Sequence, residues 1–175
     1  PVAETILIDQ EGGLFVNSVE IFFKSVDTAI PIRLTIRSVR DGTPTQIIVP
    51  GADKVLYPGA SDDNIQVSTD GTTATKFTFD HPVYLAQDQE YAIVLTAQTN
   101  NYEVFLAEIG AKDLANTGTV IDKQPYGGVF FSSANASTWT PEQTLDLKFR
   151  LNRCKFDTSK NAEINLVNDV VPVSY

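Results

Sequence analysis

Apolar and polar residues alternate along most of this chain with a period of two. Val19, Ile21 and Phe23 alternate with Glu20, Phe22 and Lys24, and Ile32, Leu34 and Ile36 with Arg33, Thr35 and Arg37. Phe77 and Phe79 are spaced by Thr78; Tyr91, Ile93 and Leu95 by Ala92 and Val94; Tyr102, Val104 and Leu106 by Glu103 and Phe105. Leu145, Leu147, Phe149 and Leu151 alternate with Asp146, Lys148, Arg150 and Asn152. Successive side chains of a strand point to opposite faces, so each run predicts a strand with one buried side, the pattern of antiparallel sheets.

Turn formers punctuate these runs: Glu11-Gly12-Gly13, Asp41-Gly42-Thr43-Pro44, Pro58-Gly59, Asp70-Gly71, His81-Pro82, Asn100-Asn101 and Asn116-Thr117-Gly118. Short strands with such spacing predict an all-β fold, an antiparallel β-sandwich of jelly-roll-like type with little or no helix. A single helical turn between Ala107 and Asn116 is the most helix the pattern supports, and Gly110 weakens it. The stretch from Val55 to Ala74 reads as loops around one short strand, Ile65 to Val67. The expected organisation is a β-sandwich module over residues 1–157. A C-terminal strand (Ala162 to Val167) and tail follow over 158–175, leading into a further region of a longer protein. The absence of any methionine fits that expectation of a piece cut from a larger chain; the alternative is that an initiator before Pro1 was removed.

The chain has 175 residues, 42% of them hydrophobic and 20% charged, enough for one domain with a substantial core. Its net charge is −9, which argues against nucleic acid and against an anionic membrane surface, since both need an excess of Lys and Arg. Acidity of this size serves solubility, or else a cation site. Cys154 is the only cysteine, so no intrachain disulfide is expected. No apolar run is long enough to span a membrane, and Pro1-Val2-Ala3-Glu4 does not resemble a signal peptide.

The catalytic census is thin. His81 is the only histidine and sits before Pro82, the setting of a structural residue at a strand end; with Cys154 it makes the only conceivable thiol dyad. Cys154 lies between Arg153 and Lys155, but it follows a core strand and reads as a small packed residue. One Cys and one His do not build a usual zinc site. Neither a phosphate-binding glycine loop nor an EF-hand is present. Carboxylates from separate loops, Asp9 with Glu11 or Asp62 with Asp63, are the candidates for calcium; no other cofactor is expected. Among aromatic residues, Trp139 and Tyr126 lie in polar frames. They are candidate ligand-binding rings that stack on a sugar or anchor an interface; the alternative is that both fold back as caps on the sandwich.

Three pieces of the sequence resemble virion structural proteins of contractile-tailed, T-even-like bacteriophages. One is Pro1-Val2-Ala3-Glu4-Thr5 with Glu11-Gly12-Gly13-Leu14-Phe15 and Ser18-Val19-Glu20-Ile21-Phe22-Phe23. The second is Pro82-Val83-Tyr84-Leu85 followed by Glu90-Tyr91-Ala92-Ile93-Val94-Leu95. The third runs from Phe131 to Phe149 and contains Ser137-Thr138-Trp139-Thr140-Pro141. The resemblance covers about residues 1–157. It implies a β-sandwich module of a baseplate or tail fibre, located in the virion tail and partnered by other virion proteins or by a second copy. It also implies possible contact with host-surface glycans and no enzyme activity. It assigns no binding residues. A carbohydrate-binding module of a phage or secreted protein is the competing expectation, and a hydrolase built on loop carboxylates is a third.

Overall fold

The computed structural model describes residues 1–61, 63–112, 120–122, 128–157, 159–161 and 163. Among them there is no helix, and the strands form antiparallel sheets packed face to face as a β-sandwich. One layer has six strands. They are β1 (Val2–Leu7), β4 (Ile32–Arg40), β5 (Thr43–Leu56), β7 (Glu90–Ala97), β10 (Phe130–Ser132) and β11 (Thr140–Glu142), ordered β11-β10-β1-β7-β4-β5.

The second layer is a set of small sheets joined end to end. β2 (Leu14–Ile21) lies between β6 (Thr75–Leu85) and β13 (Phe149–Arg153). β3 (Phe23–Ser25) pairs with β8 (Glu103–Val104), and β9 (Leu106–Glu108) with β12 (Leu145–Leu147). Phe105 stitches these together: its N–H donates to the Phe22 carbonyl at 3.0 Å and its own carbonyl accepts from Lys148 N–H at 3.0 Å. The segment 103–108 therefore leaves β3 at one end and joins β12 at the other.

Most alternating runs face as predicted; the exceptions are Phe22 and Phe105, which are buried, and Leu106, which is exposed. Val19, Ile21, Phe23, Ile32, Leu34, Ile36, Phe77, Phe79, Ile93 and Leu95 form the core between the layers, with Leu85, Phe130 and Leu147. Burial at ~25 cal/mol per Å² of apolar surface is the main stabilising term. A second, smaller cluster lies on the outer face of the six-stranded layer: Ala3, Ala92, Val94, Phe131 and Trp139, with Val39 and Ala136 against it. β1 and β7 are thus covered on both faces.

Four local expectations are corrected. His81-Pro82 is no turn but lies inside β6. The register with β2 jumps there, from Val16↔Val83 to Ser18↔Thr78, so residues 79–82 form a bulge left out of that pairing and Pro82 is spared a ladder bond it cannot make. β5 likewise runs through Pro44 and Pro50, as an edge strand allows, with bulges opposite β4. The expected Ile65 to Val67 strand reduces to one bridge between Val67 and Phe23. In place of a helical turn after Ala107, β9 ends in a bend at Ile109-Gly110, whose backbone bonds go to Thr144 and Ile121; residues 113–116 lie outside the described residues. So do most of the expected C-terminal strand and the tail. Asp41-Gly42 does make its turn: φ of 51° and 70° between the paired Arg40 and Thr43 is the two-residue hairpin that Asp-Gly favours.

Candidate functional site

Trp139 is a cap, not a displayed platform. Its ring is 9% exposed and lies over Ala3, Ala92 and Val94. The small side chains at those outward positions of β1 and β7 leave room for it. Asn135 shapes the loop that carries it, its Oδ1 accepting from Ser137 N–H and Thr138 N–H at 3.0 and 2.8 Å. Arg37, buried on the same face, holds the loop by donating from Nη1 to the Ala136 carbonyl at 3.1 Å, and Gln46 Nε2 donates to the same oxygen. Burial pulls the Arg37 pKa below its ordinary value, and the nearby Arg33 charge adds to the effect. Trp139 Nε1 is buried and has no hydrogen-bond partner among the described residues. Tyr126 and Asp62 lie outside the described residues.

Asp9 and Glu11 are exposed on the loop before β2. Asp63 uses Oδ2 to accept from Tyr57 N–H at 2.8 Å, which pins the loop after β5. Among the described residues no three His, Cys, Asp or Glu side chains gather as a metal cluster. His81 is exposed on the β6 bulge, Cys154 is half-buried beyond β13, and no hydrogen bond joins them.

The inner face holds one carboxyl of note. Glu4, 3% exposed on β1, accepts from Leu147 N–H at 2.9 Å through Oε2. Burial pushes its pKa up to about 8; the Leu147 bond opposes this and the Asp146 charge reinforces it. Gly128 packs so tightly here that a Cβ would collide with the Thr5 carbonyl oxygen and crowd Glu4 Oε1. At one end of the sandwich, Asp27 accepts four bonds, from Ala29 and Ile30 N–H, Thr99 Oγ1 and Asn101 Nδ2, at 2.7–2.9 Å. Beside it, a cavity of about 90 Å³ opens between Val2, Ile32, Leu95, Thr99 and Tyr102. That is well below the ~300–1,000 Å³ of ordinary ligand sites, which directs attention to the surface.

The surface feature that sequence reasoning missed is the outer face of β6-β2-β13. Phe15, Tyr84 and Phe156 are 39%, 47% and 59% exposed and touch one another: Phe15 lies 5.0 Å from Tyr84 and 5.3 Å, edge-on, from Phe156. Phe15 and Tyr84 are direct cross-strand partners. Tyr84 is fixed by donating to the Gly12 carbonyl at 3.0 Å, and Gly13, at φ 75°, has no room for a Cβ beneath it. The alternation did contain the signal. Leu14 and Val16 point inward, as do Val83 and Leu85, so Phe15 and Tyr84 must point out.

From this cluster a polar row leads along the sheet. Ser18, Thr78 and Asn152 come first, the Asn152 amide donating to Ser18 Oγ at 3.2 Å and Glu20 Oε1 at 3.1 Å. Next, Glu20 lies between Lys76 and Arg150, bonded to Arg150 at 3.2 Å. At the far end Lys148 and Arg150 sit over the Phe22 ring, 4.9 and 5.2 Å from its centroid.

Compared with protein-family models, with curated proteins and with solved structures, the chain finds no match.

Proposed function

We propose that this chain is a non-catalytic structural and binding module of a contractile-tailed bacteriophage, part of its baseplate or tail fibre. The reading is carried by the exposed Phe15–Tyr84–Phe156 cluster. Three large rings exposed to water, two on paired strands and Phe156 packed edge-on against Phe15, have no folding role equal to their exposure, and such rings are the usual anchors of interfaces. The phage setting rests on the sequence resemblance, two pieces of which, Glu11 to Phe15 and Pro82 to Leu85, run side by side where β2 meets β6. A sandwich stabilised by core burial suits a particle that persists outside cells.

The test uses particles of the phage that encodes the chain. Mass spectrometry of purified virions is expected to find it in the tail fraction, and its absence from the particle would remove the virion assignment. Tyr84→Ser with Phe156→Ser is expected to abolish binding to tail components or to host cells while leaving the melting temperature within ~2 °C, since both rings are exposed. Unchanged binding in that variant would remove the aromatic face from the proposal.

A further inference from the structure

The charge on this face is opposite in sign to the charge on the chain. The net charge is −9, yet Lys76, Lys148, Arg150, Arg153 and Lys155 all lie on β6 and β13 or just beyond, five of the chain's 13 lysines and arginines. Glu20 answers only Arg150 with an ion pair. Arg153 donates to a neutral group, Gln10 Oε1, at 2.9 Å. Elsewhere the cations are matched more closely: Arg33 is paired with Asp53, Lys54 with Asp80, and Lys24 with Glu103.

We infer that the outer face of β6-β2-β13 binds an anionic polysaccharide. This deepens the binding role proposed above and rests on it. Charge complementarity selects an anionic partner, because on an acidic protein these strands and their ends gather five cations against two carboxylates, Glu20 and Asp80. The layout selects a polysaccharide over a protein. A stable protein interface buries apolar groups at its centre and keeps polar ones at the rim. Here the Thr78 hydroxyl, the Asn152 amide and cations occupy most of the face, and the exposed rings stand together at one end. A sugar chain meets that order well: its apolar ring faces lie against Phe15 and Tyr84, its hydroxyls against Thr78 and Asn152, and its acid groups against the cations.

The experiment measures binding of the folded chain to four probes: polygalacturonate, dextran sulfate, uncharged dextran and poly-glutamate. Arg153→Glu with Lys155→Glu reverses two exposed charges, and Arg40→Glu, at the tip of the β4–β5 hairpin, is the control. Expected is binding to the acidic polysaccharides, weakened at least tenfold in the double variant and by added salt, and unchanged in R40E. Equal binding to uncharged dextran, or insensitivity to the double variant, would overturn the inference. Tighter binding to poly-glutamate would overturn it in favour of an acidic protein partner. Loss of all polysaccharide binding alongside a Tyr84- and Phe156-dependent association with tail proteins would overturn the inference and leave the proposed function standing. If that association also fails, both fall.

Discussion

Replacing Glu4 by Gln is expected to stabilise the protein, and to do so only above acid pH. Glu4 is buried between the layers, and its pKa is raised from an ordinary 4.5 to about 8. The folded state therefore holds a proton that the unfolded chain gives up once pH exceeds 4.5. Its contribution is full below that value and is lost as pH rises towards 8. Each tenfold change in proton affinity is worth ~1.4 kcal/mol, so the loss by pH 7 is about 3 kcal/mol. Glutamine keeps the acceptor for Leu147 N–H, has nearly the same shape, and does not titrate. Urea denaturation of both proteins at pH 4.5 and pH 8 measures the effect. The variant's advantage is expected to grow by about 3–5 kcal/mol between the two, roughly 6–20 °C in melting temperature for a chain of this length. Carboxylates that titrate below pH 4 cancel in the comparison. An advantage that is the same at both pH values would refute the buried acid, and so would none at pH 8.

Three further outcomes follow from the packing. Trp139→Ala is expected to cost about 3–5 kcal/mol in urea denaturation, because it uncovers Ala3, Ala92 and Val94, and to leave polysaccharide binding untouched; lost binding with unchanged stability would reverse the cap assignment. Gly128→Ala is expected to prevent normal folding or to lower the melting temperature by more than 10 °C, since the new Cβ meets first the backbone carbonyl of Thr5 in β1, which no side-chain movement relieves, and then Glu4 Oε1; a fully stable variant would contradict that packing. Asp27→Ala is expected to lower the urea midpoint at pH 7 by stranding its four donors. Those hydrogen bonds, Ile30 and Ala29 N–H foremost, hold the Asp27 pKa down at about 2. Its contribution is therefore present above pH 4 and lost as pH falls through 2, so the difference from wild type is expected to vanish in strong acid; a difference that persists there would show the group acting otherwise.

Strands buried on one face were readable because alternation is the direct trace of that burial. β4 and the segments around Phe77 and Leu147 were read this way. β7 and β1 are both covered on both faces; β7 was still legible because Tyr91 to Leu95 is apolar throughout, whereas in β1 the small Ala3 packs under Trp139 and Glu4, a charged residue by type, turns inward. β5 was hidden by Pro44 and Pro50-Gly51, turn formers that an edge strand with bulges tolerates. The cation row was visible as letters at 148, 150, 153 and 155, but only pairing with β2 and β6 brings it beside Phe15 and Tyr84. Phe156 lies beyond the last strand, where no periodicity applies, and its neighbours became evident only in three dimensions.

The position of β1 also sets the order of assembly. Residues 2–7 form an inner strand, hydrogen-bonded on one side to β7 and on the other to β10. As the chain leaves a ribosome, residues 2–7 must wait for residues 90–97 before gaining one partner, and for 130–132 before gaining the second. Loops of that length are closed early in folding and rewarded late, which places the domain among slow, high-contact-order folders, with times of milliseconds to seconds. A nascent chain shorter than residue 132 leaves one edge of β1 unpaired, a length at which a chaperone, or an identical chain on the neighbouring ribosome, can capture it.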